Sequence, residues 1–413
     1  MTTADPEGAS SPLQGHPPAP SRRRVRAAVD GHRVTTFELF FDLVFVFATT
    51  QVTAHIVHTH SAMGVVQGTV ILGLLWWAWS SYAWLGNQAH ADVGPIRLGM
   101  VGAMISVFIV ALAIPEAWHD ESGGLHAGTV LAVAYIAIRV IHEILYFVAA
   151  EGDEALRRQL GLNLLPLFGG GTLLLVGALA VEDGAQTAVW AAALAVDWAL
   201  TYLTSVRGRG WRINSISHWV ERHGLVVILA LGESVVAIGV GAAAEPLDWE
   251  LLVGASLGIT LAAALWWLYF DVSADAAEQA LHRRDDPVRA AIESYTYLHF
   301  LSIFGIVVTA VGVEGALAHA TERDPLGAFS AGCLTLGPAI YLAGHVLSWI
   351  RLDGTVKTQR VATIAVLVAL WPVAAATTAL LSLTIVVAVP IALVVVETAK
   401  YSELRAAIQD ARP

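Results

Sequence analysis

The sequence predicts an all-α polytopic transmembrane helical bundle of about twelve helices, arranged as a tandem 6+6 duplication. Three observations predict it. The chain is 56% hydrophobic and only 14% charged, with a mean hydropathy of +0.64, whereas soluble globular proteins carry about 25% charged residues. Apolar runs of about 20 residues recur along the chain, the length a helix needs to cross the bilayer core. With the N-terminus placed in the cytoplasm, 21 of the 23 Lys and Arg fall in cytoplasmic segments; Arg323 lies outside and Arg139 lies within a span. That asymmetry follows the positive-inside rule and demands an even number of spans. A β-barrel would show alternating segments of about 10 residues instead.

Residues 1–33 are rich in Pro, Ser, Gly and Ala. Without an apolar period they are expected to form a disordered cytoplasmic tail. They contain no apolar h-region, so the first span is expected to serve as its own targeting signal. Twelve runs follow. The first, 37–57, opens with "ELFFDLVFVFATT". The second, 63–85, carries "GVVQG", a weak packing signal, and "LLWWAWSSY". The third, 98–118, holds "ISVFIV", and the fourth, 128–149, holds "RVIHEIL". The fifth, 161–181, contains Pro166 and "FGGGTLL", whose glycines permit tight packing or a break; no phosphate loop is formed, because no GK[ST] follows. The sixth, 188–206, carries "VDWALTYL". The seventh, 224–243, is preceded by "HWVERH". The eighth, 249–271, repeats the aromatic cluster as "ALWWLYF", and the ninth, 295–318, echoes the third as "LSIFGIV". The tenth, 326–349, ends near His345 as the fourth ends near His142. The eleventh, 361–381, has Pro372 where the fifth has Pro166. The twelfth, 382–400, runs into "VETAKYSEL". Little polar punctuation separates the last two runs, so a single long hairpin or a re-entrant element stays open there. The matched landmarks keep their order, which divides the chain into six-helix repeats at 34–210 and 211–413. An even-numbered unit places both copies in one orientation. The aromatic clusters at Trp76, Trp77, Trp79, Tyr82 and Trp84 and at Trp266, Trp267 and Tyr269 read as membrane-interface belts.

Charge inside a span carries the chemistry, because Asp, Lys or Arg at a helix centre costs roughly +2.5 to +3.5 kcal/mol. Glu38 and Asp42 share one face of the first span at i and i+4. They read either as interhelical glue or as a cation or proton site. Arg139 keeps its charge at any accessible pH and needs a carboxylate. Glu143 is the nearest along its helix, with Glu38, Asp42, Asp197 and Glu233 available from others, and His142 lies between the two. The expectation is a structural or gating ion pair. His218, Glu221 and Arg222 form an interfacial motif before the seventh span, and Glu233 lies near that span's centre behind Gly232. Asp197, matched by Glu397 in the second repeat, either relays a proton or serves as a hydrogen-bond partner. Five deep acids against Arg139 and His142 make a shared cavity negative and suited to a cation or proton. Glu38, Asp42, Asp197 and Glu233 are therefore the expected ion- or solute-binding residues.

No zinc spacing, nucleotide fingerprint or Ser-His-Asp constellation emerges. The single cysteine, Cys333, excludes a disulfide framework. No cofactor or metal, and no nucleic-acid partner, is expected. The expected partners are the lipid bilayer and a cation, proton or small solute; a homo-oligomer is compatible.

At "ELFFDLVFVFATTQ" and "HWVERHGLVVILALGES" the sequence resembles the bacterial low temperature requirement protein A family, LtrA. The likeness runs from about residue 33 to about 400. It implies a polytopic inner-membrane protein; the expectation that both termini are cytoplasmic comes from the basic-residue asymmetry. It carries over Glu38, Phe41, Asp42, His218, Glu221, Arg222, Gly232 and Glu233 as motif positions, but it implies no reaction. The opening is also similar to the first helix of the endolysosomal potassium channels, whose six-helix repeats begin with Arg…Phe-Ser-Asp. Here Phe41-Asp42 remains and the serine is absent, which puts a pore of that kind in doubt. The leading expectation is movement of a cation, a proton or a proton-coupled small solute. The alternatives are a membrane-embedded enzyme acting on a lipid, with His218, Glu221, Arg222, His223, His299 and His345 at one face, and a structural or sensor protein.

Overall fold

The computed structural model describes residues 33–403, apart from 93, 208, 209, 244, 245 and 272. Most of the tail expected at 1–33 lies outside the described residues. Twelve helices are long and apolar enough to cross a membrane. They are α1 (Thr36–Thr59), α2 (Ala62–Gln88), α3 (Gly94–Ala113), α4 (Ala127–Ala149), α5 (Glu154–Ala180), α6 (Asp183–Arg207), α7 (Ile216–Ala243) and α8 (Trp249–Phe270), followed by α9 (Pro287–Leu317), α10 (Ala328–Leu352), α11 (Thr358–Ala376) and α12 (Ala379–Lys400). A short amphipathic helix, Ser273–His282, joins α8 to α9.

Local chemistry sets the helix starts. Thr35 caps α1 through a capping box, its hydroxyl accepting from the Glu38 amide while Glu38 accepts from the Thr35 amide at 2.9 Å. Ser61, Asp153 and Asp248 cap α2, α5 and α8 in the same sense, each accepting from an amide three residues on. The third span ends at Ala113, short of the expected 118, because Pro115 disfavours helix at the residue before it. The seventh begins earlier than expected, at Ile216, so "HWVERH" is helical rather than a loop. The last two runs are separate helices. Thr377 and Thr378 are extended, and the Ser382 hydroxyl donates to the Ala374 carbonyl at 2.7 Å, closing the corner.

With twelve crossings, residues 33 and 403 lie on one side of the bundle, called here the terminal face. The neighbour relations of α1–α6 recur in α7–α12. In the first set α1 packs on α2 and α3, α2 on α6, and α3–α4, α4–α5 and α5–α6 are adjacent. In the second, α7 packs on α8 and α9, α8 on α12, and the three adjacent pairs follow in the same order. The two sets meet where α1 touches α7 and α9, and where α2 touches α7 and α9. The tightest pairing is α9 with α10, where a Cβ on Gly305 would collide with the Tyr341 backbone; small residues let helices approach this closely. Large apolar side chains such as Phe40, Ile105 and Phe168 stay exposed on the outside, as a surface bathed in lipid permits.

One element departs from plain helix. Residues Ile292–Leu298 at the start of α9 form a π-helical stretch. Its wider turn leaves carbonyls free of regular helical partners. The Trp76 indole donates to the Thr296 carbonyl at 2.8 Å and the Trp84 indole to the Thr296 hydroxyl at 3.0 Å. π turns mark functional sites frequently.

Candidate functional site

The two motifs that looked separate in sequence form one site. Asp42, fully buried on α1, receives Nη1 of Arg222 at 2.5 Å and Nη2 at 2.8 Å, a two-pronged ion pair with α7. Trp79 of α2 donates to the same carboxylate at 2.9 Å and lies under the guanidinium. One turn earlier, Glu38 accepts from Nε2 of His218 at 3.2 Å, and Arg222 also donates to the Glu38 carbonyl. Asn87 fixes the base of this cluster, donating to the Ser215 carbonyl at 2.7 Å and lying 3.4 Å from Nδ1 of His218. Asn87 as donor to Nδ1 and Glu38 as acceptor from Nε2 together assign the proton to Nε2. Glu221 completes the contact by accepting from the Val34 amide. His218 and Arg222 are thus fully buried between helices. The start of α1 is riveted to the start of α7 by groups 180 residues apart.

The second set differs from expectation in its partner. Arg139 on α4 pairs with Asp197 on α6, Nη1 to Oδ2 at 2.5 Å, rather than with Glu143 on its own helix. Its Nη1 also donates to the Tyr135 hydroxyl, and Thr201 donates to the second Asp197 oxygen. Four residues along a helix, Arg139 and Glu143 are neighbours, but Asp197 offers a carboxylate aligned across the helix gap. Glu143 instead lies 3.8 Å from Nδ1 of His142. Its Oε2, both ring nitrogens of His142, Nε of Arg139 and the Ser80 hydroxyl are buried with no hydrogen-bond partner among the described residues.

These orphaned groups line one small cavity in the first half. Its walls are Trp77, Ser80 and Trp84 of α2, Arg139, His142 and Glu143 of α4, Asn163 of α5, Thr201 of α6, Trp211, and Thr296 and Tyr297 of the π turn. Sequence reasoning missed the aromatic walls. The cluster from Trp76 to Trp84 is almost wholly buried, so it is core and cavity wall rather than an interface belt. Trp266 and Trp267 of α8, each over 40% exposed, do face outward. The signal available was serine among the tryptophans on a helix apolar all round, a pattern of buried helices.

A second cavity of about 420 Å³ lies in the other half, lined by Tyr269, Ser294, Tyr295, His299, His345 and Ser348 among others. The π turn is its wall as well, so one irregular segment separates the two spaces. Arg360 donates to Nδ1 of His345 and pairs with Glu397 at 2.8 Å, so the matched acids Asp197 and Glu397 both hold an arginine. His223 and His299 stack among Trp76, Trp79, Trp219 and Tyr295. No group of three or more His, Cys, Asp or Glu among the described residues is placed to hold a metal ion.

Glu233 stands apart, towards the opposite face. It accepts from the Thr50 hydroxyl at 2.5 Å and makes no ion pair with Arg, Lys or His among the described residues. Beyond it on that face, His55, Gln67, Thr187 and Trp118 form a hydrogen-bonded chain. The four expected binding residues therefore do not converge: Glu38 and Asp42 meet each other and α7, Asp197 meets α4, and Glu233 meets α1.

The family model "Bacterial low temperature requirement A protein (LtrA)" matches residues 33–395. An uncharacterized protein of Rhizobium meliloti (strain 1021) is 29% identical over 329 residues, covering 76% of each chain. No solved structure matches.

Proposed function

This chain belongs to the bacterial low temperature requirement A protein family, and from that premise we propose that it moves a small positively charged solute, or a proton with one, across the bilayer. The observation that supports this reading is the first-half cavity, where a buried carboxylate oxygen of Glu143 has no partner. A carboxylate held out of water and unpaired is costly, and a positive solute would offset that cost. In this reading the Arg139–Asp197 pair beside the cavity is the gate. The Glu38–Asp42–His218–Arg222 cluster is the rivet about which the halves keep their relation. Glu233, whose carboxylate meets the hydroxyls of Thr50 and Thr53, carries a proton towards the opposite face. The recurring neighbour pattern and the paired arginines support descent from a six-helix duplication, and the basic-residue asymmetry supports an inner-membrane protein with cytoplasmic termini.

Proteoliposomes test the proposal. Purified protein offered inorganic and organic cations, with an internal pH dye, is expected to show saturable uptake that Glu143→Gln and Asp197→Asn abolish or shift. Uptake equal in wild type, both variants and empty vesicles overturns it. A second reading, an enzyme acting on a lipid, draws on His299 and His345, which line one cavity with an unpartnered Nε2 each among the described residues. Turnover of a lipid panel that is lost in His299→Ala and His345→Ala would favour that reading over transport.

A further inference from the structure

We propose that the first-half cavity recognises an organic ammonium ion bearing an apolar chain, the ammonium at Glu143 and the chain in the outer groove between α4 and α5. The inference rests on the cation reading above and narrows it to one chemical class.

Glu143 is 4% exposed and offers the cavity an unpartnered carboxylate oxygen. Arg139, the fixed positive charge on its own helix, is taken by Asp197. A bare inorganic ion would need more: Ca²⁺ takes 6–8 oxygen ligands, and Mg²⁺ demands an octahedron. The cavity's hydroxyls are mostly engaged. Ser81 donates to the Trp77 carbonyl, Thr201 to Asp197, and Ser205 and Thr296 accept from indoles. Ser80 alone among these has no partner among the described residues. The remaining surface is aromatic. Trp77 lies 5.4 Å from both Trp198 and Tyr297, and Trp84 lies 5.4 Å from Trp211. Ring faces around one carboxylate suit a cation whose charge is spread over alkyl groups, the basis of quaternary-ammonium recognition.

Glu143 also borders a second space. On the lipid side of the same helix, Ile144 and Phe147 of α4 and Leu164 and Phe168 of α5 line a groove of about 800 Å³ that reaches Glu143. Ile144 is 57% and Phe168 66% exposed. The groove is apolar except for Arg157 at its terminal-face end and Glu143 itself. One carboxylate thus borders both an aromatic cavity and an apolar groove on the outer surface. That is the shape of an amphiphile with a cationic head, entering sideways from the membrane.

Binding to the purified full chain in a nonionic detergent tests this, with tetramethylammonium and octyltrimethylammonium as probes and calorimetry as readout. Both are expected to bind, the octyl probe at least about tenfold more tightly because of its buried methylenes. Glu143→Gln is expected to weaken both by about tenfold or more, and Trp77→Leu to weaken both if Glu143→Gln fails to fold. Phe168→Ser is expected to shrink only the octyl advantage. Absence of binding by either probe, or unchanged binding in Glu143→Gln and Trp77→Leu, overturns the proposal; equal affinity for the two probes overturns the groove. Ammonium binding without flux would keep this site and remove transport, whereas flux of an inorganic cation without ammonium binding would do the reverse.

Discussion

Asp42 and Arg222 show why a lipid-soluble helix keeps its acids. Each is fully buried and each satisfies the other with two hydrogen bonds, so removing one leaves an uncompensated charge, at a cost of about 3–5 kcal/mol. Asp42→Asn is expected to lower the melting temperature of the purified protein sharply, whereas Asp42→Leu combined with Arg222→Met is expected to recover much of the loss. A double variant no more stable than the single one would show that the pair is not the source. Gly86 is a second, finer case. A Cβ there would lie 2.5 Å from Oε1 of Glu38, so Gly86→Ala is expected to push Glu38 off His218 and destabilise the protein by about 1–3 kcal/mol, the cost of an unsatisfied buried polar group. Unchanged melting would mean that the carboxylate shifts without penalty. At this scale the sequence told which residues were expensive, since "ELFFD" and "HWVERH" are polar insertions in apolar runs. It did not tell their partners. Arg139 had five acids to choose from, and the choice of Asp197 over Glu143 depends on helix rotation, which periodicity in a helix apolar all round does not encode.

Among the elements, α9 carries the feature with most consequence. Its π stretch, Ile292–Leu298, presents Thr296 and Tyr297 to one cavity and Ser294 and Tyr295 to the other. Deleting one residue within it is expected to restore regular α-helix and rotate those side chains together. The expected outcome is a folded protein, by melting and size-exclusion profile, that has lost function; retained uptake would make the π turn dispensable. Thr296→Val is milder. It removes the acceptor of the Trp84 indole and is expected to cost about 1–3 kcal/mol of stability, read again by melting. Nothing in "IESYTYL" announces a π turn, because the sequence contains no proline or glycine and its Thr296 carbonyl and hydroxyl are held by the Trp76 and Trp84 indoles from another helix. By contrast the corner between α11 and α12 follows from "ATTALLS": two extended threonines and a capping serine suffice to turn the chain, although an apolar pattern alone left a hairpin or re-entrant segment open.

For the whole molecule, an even number of crossings puts the described ends on one face, where the rivet, both cavity walls and most buried ion pairs also lie. The asymmetry of the basic residues supports the proposal that this face is cytoplasmic. A C-terminal fluorescent protein, which folds in the cytoplasm, is therefore expected to glow, and a C-terminal alkaline phosphatase to stay inactive; the opposite pair of results would invert the topology. The number of spans, their approximate positions and the polar cost of each buried acid were determined by the sequence itself, because crossing a bilayer requires about 20 apolar residues and charge within such a run is conspicuous. Which acid met which base, which tryptophans lined a cavity rather than the lipid boundary, and that Glu143 keeps one oxygen without a hydrogen-bond partner among the described residues were decided only by the tertiary structure. In lipid, a helix gains nothing from hydrophobicity by turning one face rather than another towards its neighbours, so its rotation is fixed by close packing and by polar partners that lie up to 220 residues away.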